Sequence, residues 1–395
     1  MKESILNVPN LRFPGFSGEW ECCKLSTYLY ENKERNRAGE FNKSDVLSVS
    51  GDCGVVNQIQ LLGRSFAGKS VADYHIVRTG NIVYTKSPLK EYPYGIVKYN
   101  SGKDGIVSTL YAVYHHRENV NGRFVEHYFT SPQRTNRYFK PIVRIGAKHD
   151  MKIGNNEVLE NTVLFPGLEE QNRITELLDL IDQRIAIQNK VIEDLKKLKT
   201  AIEERIIKLV QGKQISLGDI LEERNEKSTE NNQFEVLSST VTGIFNQREY
   251  FNKDIASANN AGYKIVRRGD IVLSPQNLWM GNINYNDCFE IGIVSPSYKV
   301  FSIRKAFDER YVSFLLKTKK ALWEYSLVSE QGASIVRRNL NLESFLEISF
   351  PIPSYIKQKE IGDMISAVNS KLLLEQKLLN SLSRQKSYLL NSMFI

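Results

Sequence analysis

Cysteine, histidine, proline and long apolar runs are all scarce in this chain, and each scarcity removes a class of protein. Cys22, Cys23, Cys53 and Cys288 show no C-x-x-C spacing and no neighbouring paired histidines, so neither a zinc site nor a disulfide scaffold is expected. No apolar stretch approaches the roughly 18 residues a membrane-spanning helix needs. The opening Met1-Lys-Glu-Ser-Ile-Leu-Asn-Val-Pro9 places an acid and a proline where a secretory signal would be unbroken and apolar. A cytoplasmic protein without a membrane partner is therefore expected. Pro-Pro and Pro-Asp dipeptides are absent, which removes the N-P-P-[FY] loop of amino-methyltransferases and weakens a nuclease of the P-D…E-x-K kind. The five histidines, His75, His115, His116, His127 and His149, all lie in the first half, and a duplicated active site would be expected to keep them in both halves.

What is present is a surplus of cations and a repeat. Lysine and arginine number 53 against 45 acids, for a formal charge of +8 and a pI near 9.0, a balance compatible with a polyanionic partner. At 395 residues, the chain is expected to form more than one domain. Tyr74-His-Ile-Val-Arg-Thr-Gly-Asn-Ile-Val83 recurs as Tyr263-Lys-Ile-Val-Arg-Arg-Gly-Asp-Ile-Val272, and Gly105-Ile-Val-Ser recurs as Gly292-Ile-Val-Ser, at offsets of 189 and 187 residues. Arg144-Ile-Gly-Ala147 parallels Glu330-Gln-Gly-Ala333, and Val163-Leu-Phe-Pro166 parallels Ile348-Ser-Phe-Pro351. The order is the same in both halves, so the chain is a tandem duplication.

Each copy opens with short β-branched and aromatic runs broken by Gly, Asn and Pro, which predict strands, turns and a few short helices. Each then gives way to a long segment, from Glu169 to about Val210 and from about Lys357 to Asn391, where proline and glycine vanish apart from Gly362. Steps of four and three mark a seam through Ile174, Leu178, Ile181, Ile185, Ile192, Leu195, Ile202 and Ile206. Shifted by 187, the seam continues through Ile361, Ile365, Val368, Leu372, Leu379, Leu382, Leu389 and Met393. Even the polar interruptions coincide, Gln188 with Glu375 and Lys199 with Lys386. A seven-residue repeat of this length predicts a coiled coil, antiparallel by connectivity, with pseudo-two-fold symmetry. A helix of about 39 residues would span roughly 58 Å. The expected fold is α+β, with an N-terminal segment 1–20 packing near the C-terminal helix, globular domains 21–166 and 213–353, and long spacer helices within 167–212 and 354–395.

Gly63-Arg-Ser-Phe-Ala-Gly68-Lys69-Ser70 fits the phosphate-loop pattern, but the β-branched, glycine-stopped stretch that follows predicts no helix to complete an anion site. The candidate DNA-binding side chains lie instead in loops that differ between the copies while the flanking strands match. These are Lys86, Ser87, Lys90 and Tyr94 in the first copy and Gln276, Asn277 and Trp279 in the second. A second pair of loops offers Arg144, Lys148 and His149, and Arg337, Arg338 and Asn339. Drift of solvated surface loops would produce the same divergence.

Three segments together carry a family resemblance: Pro9-Asn-Leu-Arg-Phe-Pro-Gly-Phe16-Ser-Gly-Glu-Trp20, the Y-x-I-V-x-x-G-[ND]-I-V block in each half, and Phe165-Pro-Gly-Leu-Glu-Glu-Gln-Asn-Arg-Ile174 opening a heptad helix. In this order they resemble the specificity subunit of type I restriction–modification systems. The start of the second helix departs from the pattern, carrying Lys357 before Gln358 and two extra residues. The resemblance implies that each globular domain reads one half of a split site in double-stranded DNA and that the helices set the gap and dock two methyltransferase subunits. It further implies a non-catalytic chain without cofactor or metal of its own. S-adenosylmethionine would belong to the methyltransferase, and ATP and magnesium to restriction subunits joining the complex. The alternatives are a coiled-coil adaptor that does not touch DNA and a DNA enzyme with an unrecognised active site.

Overall fold

A computed structural model describes residues 7–145, 151–251, 259–331 and 338–395. The chain divides into two compact units, Met1–Asn189 with Lys377–Ile395, and Lys190–Gln376. Each long helix divides between the two units, one part of it packing into each.

In the first unit a four-stranded antiparallel sheet runs in the order Leu29–Glu31, Tyr111–His116, Ile82–Thr85, Val97–Tyr99. Separate antiparallel pairs join His75–Val77 to Gly105–Val107, Leu47–Ser50 to Gly54–Asn57, and Glu21–Lys24 to Thr162–Phe165. The second unit repeats the plan. Its sheet runs Leu221–Arg224, Lys299–Ile303, Ile271–Leu273, Ile283–Tyr285, with pairs Lys264–Arg267 to Ile291–Val294, Leu237–Ser239 to Ile244–Asn246, and Lys213–Ser216 to Ser349–Ile352. The tandem duplication of a mixed domain, each copy followed by a long helix, is thus present in three dimensions.

The repeated Gly-Asn/Asp block has a local cause. Gly80 and Gly269 take φ near +95° and +93°, where a side chain would be strained, to turn one strand into the next. The following residue closes the turn from its side chain: Arg78 N–H donates to Asn81 Oδ1 at 2.9 Å, and Arg267 N–H to Asp270 Oδ2 at 2.7 Å. The buried Ile82-Val83 and Ile271-Val272 that follow then enter the core in the same register.

The long helices are Leu168–Leu209 and Tyr355–Ser392. A buried glutamine fixes the first turn of each. Gln171 Nε2 donates to Pro166 O at 2.9 Å and its Oε1 accepts from Asn121 N–H at 3.0 Å; Gln358 does the same with Pro353 O and Asp308 N–H at the same distances. The extra residues before the second helix are therefore absorbed upstream of Gln358, and the 187-residue offset holds from there on. Gly362, the break in the helical pattern, sits where a Cβ would come within 2.7 Å of Asp308 Oδ1.

Every seam position is buried or half-buried, whereas Leu180, Ile187, Leu198, Leu373 and Leu374 on the same helices are exposed. In the first unit Ile174, Leu178, Ile181, Leu389 and Met393 join one core with Trp20, Phe124, Phe165 and Phe394, and Asp182 pairs with Lys386. The N-terminal segment closes this core, Leu11 N–H donating to Ser392 O at 2.8 Å. In the second unit Ile202 and Ile206 pack against the core holding Ile361 and Ile365. Within each unit the two helix portions run antiparallel, residue numbers falling along one as they rise along the other. Full burial of a side chain such as Leu178 stabilises by about 1.5–3 kcal/mol.

Candidate nucleic-acid interface

In the first unit the divergent loop leaves the end of strand Ile82–Thr85. Leu89 and Tyr92 exchange backbone hydrogen bonds at 3.0 and 3.1 Å, a tight turn that holds Lys90 out in solvent beside the exposed Ser87. Two other candidates turn inward. Lys86 Nζ donates to Ile153 O at 2.9 Å and to Asn155 Oδ1 at 2.6 Å, and burial pushes its pKa down. Its ammonium group is thus engaged within the domain, whereas Lys90 projects into solvent. Tyr94 is half-buried, its ring packs on the core, and its carbonyl accepts the Tyr84 hydroxyl at 2.6 Å.

The second loop of this unit follows Arg144–Ile145, paired with Met151–Lys152. Lys148 and His149 lie outside the described residues. Arg144 and Lys152 are exposed and stand directly opposite each other in the pair, a like-charge cross-strand arrangement that costs stability unless an anion lies between them. Lys152 escapes a reading by residue type alone, because it becomes Arg144's neighbour only through the strand register.

In the second unit the equivalent loop is a tight 3-10 segment, Pro275–Met280. Gln276 is exposed, whereas Asn277 is half-buried, with Oδ1 shielded from solvent and without a hydrogen-bond partner. The structure brings the two candidate loops of this unit together: the Arg338 guanidinium stacks over the Trp279 ring at 4.3 Å and reaches Ser326 O at 3.5 Å. Asn339 is exposed opposite Glu330, and Arg337 lies outside the described residues. Arginine on indole presents a flat cationic surface suited to phosphate or a base edge.

A further cation on an aromatic, Arg64 over the exposed Phe66 at 4.5 Å, lies within the stretch that mimics a phosphate loop. The segment after Ser70 leads to strand His75–Val77 without a helix, so that anion site is not built.

The histidines divide between core and surface. His75 is buried, and burial together with the nearby Arg35 and Lys86 depresses its pKa to about 4. His127 is buried and bonds Asp179 at 2.8 Å, beside Asp182. That trio has metal-ligand chemistry, but Asp179 is already bound by Arg123 and Asp182 by Lys386, so the cluster works as an ionic joint between helix Gly122–Tyr128 and the first long helix. The four cysteines are free. Among the described residues no helix is long and apolar enough to cross a membrane.

Residues 212–384 match the family described as type I restriction modification DNA specificity domain. No curated protein matches the chain's sequence. Among solved structures, a type I restriction–modification S subunit from M. genitalium is similar at TM-score 0.60 and 15% identity, over 98% of this chain and 99% of that one. A chain from a structure of complex assembly and conformational transition of the type I R-M system is similar at TM-score 0.51 and 13% identity, over 98% of this chain and 99% of that one. Residues 212–384 thus carry a type I restriction modification DNA specificity domain, and the chain shares the fold of S subunits across nearly its whole length.

Proposed function

We propose that each unit reads one half of a bipartite site in double-stranded DNA, and that the long helices set the gap and dock two methyltransferase subunits. The observation that carries this reading is the pairing of one frame with two different loop sets. The loop after the matching strand offers Lys90 in one unit and Gln276 with Trp279 in the other, and a second, separate pair of strands offers Arg144 with Lys152 in one unit and Arg338 in the other. Cations and planar amides reaching from rigid strand ends are the chemistry that contacts phosphates and base edges.

Docking is supported by the apolar side chains that the long helices turn outward, Leu180, Ile187, Leu198, Leu373 and Leu374. The methyl donor, S-adenosylmethionine, is bound by the methyltransferase, and ATP with magnesium by restriction subunits that join the same complex. The chain itself is non-catalytic and works in the cytoplasm. The test is methyl transfer from labelled S-adenosylmethionine to duplex DNA: the purified chain alone should give none, and the chain with its methyltransferase partner should modify a split site. Turnover by the isolated chain would overturn the division of labour.

A further inference from the structure

In the first unit the N-terminal segment fills a groove between the two long helices. Leu11 bonds Ser392 O, Leu11 and Phe13 pack on the core that includes Ile174 and Met393, and between them Arg12 grips the buried Glu170 through two bonds of 2.7 and 2.8 Å. The segment thus reads apolar, cationic, apolar.

The 187-residue offset locates the same groove in the second unit. Ser392 corresponds to Arg205, Glu170 to Lys357, Ile174 to Ile361 and Met393 to Ile206. There no described segment of this chain occupies it, because Val210–Gly212 leads directly into strand Lys213–Ser216. Instead Ile202, Ile206, Leu209, Pro353, Ile361 and Met364 line an open cavity of about 430 Å³ rimmed by Arg205 and Lys357. Leu209 and Met364 remain 66% and 47% exposed. Among the described residues Lys357 pairs only with Glu360, one helical turn away at 2.8 Å, with both side chains more than half exposed. Such a pair is weak and readily exchanged.

We propose that this groove seats an extended segment of a partner polypeptide with the pattern apolar, acidic, apolar, its carboxylate meeting Lys357 as Arg12 meets Glu170. The charge at the rim is inverted between the units, from Glu170 and Ser392 to Lys357 and Arg205. A second copy of this chain's own N-terminal segment is therefore a poor occupant, since Arg12 would face two cations. The inference rests on the docking part of the proposed function only for which subunit carries the segment.

The probe is a fluorescent peptide of residues 7–16 with Glu in place of Arg12, compared with the unaltered peptide by anisotropy on the full chain. The Glu peptide should bind saturably and about fivefold to tenfold more tightly than the Arg peptide, and Lys357→Glu, at an exposed position, should reverse that order. Leu209→Asp should abolish binding of both peptides while DNA binding stays intact. The proposal is overturned by no saturation up to about 1 mM, by equal affinity for the two peptides, by a preference that ignores Lys357→Glu, or by binding that survives Leu209→Asp. For the unaltered chain, failure of the Glu peptide to bind with DNA recognition intact counts against the groove alone, whereas DNA recognition failing with peptide binding intact counts against the function.

Discussion

The guanidinium of Arg338 lies 4.3 Å from the ring centre of Trp279, and through that contact two loops separated by some sixty residues become one surface. The indole fixes the plane of the guanidinium, whose Nη1 donates to Ser326 O.

If the pair reads DNA, Trp279→Ala and Arg338→Ala should each lower affinity for the cognate site by about 1–3 kcal/mol. The double variant should lose little more than the worse single one. A double-mutant cycle on duplex binding measures this; full additivity would mean the stack has no role in recognition.

Arg144 and Lys152 repel each other across their strand pair. Replacing either with Gln is expected to leave unfolding stability unchanged or raise it by a few tenths of a kcal/mol. The same replacement should weaken DNA binding and reduce the salt-dependence slope by about one unit. Stability and affinity moving down together would mean that the cations support the fold instead.

Lys86→Ala should show the opposite pattern. With Nζ held by Ile153 O and Asn155 Oδ1, its removal should cost about 1–3 kcal/mol of stability. The salt slope of DNA binding should not change, which binding titrations at two salt concentrations would reveal.

Burial raises the pKa of Asp179, but hydrogen bonds from His127 and Arg123 outweigh it and hold the carboxyl down at about 2. A carboxyl held below its unfolded value of about 3.9 contributes stability that is complete above that value and is lost as pH falls toward 2. Asp179→Asn should therefore destabilise by on the order of 2 kcal/mol at pH 7. The deficit should shrink steadily below about pH 4 in urea titrations. A deficit independent of pH would assign the effect to packing.

The repeat, the long helices and their seams are legible in the sequence because each rests on local spacing: seven-residue steps, a constant offset, and a Gly-Asn or Gly-Asp turn that bonds its own backbone. What the sequence hides is long-range pairing. Lys86 looks like an exposed cation until Ile153, 67 residues on, takes its charge, and Tyr94 looks like a loop aromatic until its ring packs on the core. Arg12 finds Glu170 across 158 residues. Lys152 gains its place from strand register, and the sharing of each helix between units follows from which core each turn joins, not from any boundary in composition.

Mapping methylated adenines across the genome of cells that carry this chain with its methyltransferase partner tests the central claim most directly. The unaltered chain should mark a bipartite site, two fixed base blocks around a constant gap. Replacing residues 275–280 with the loop of a related specificity subunit should change the bases of one block and leave the other block and the gap as they were. Loss or change of both blocks in a soluble, assembled and active complex would contradict independent readout by the two units.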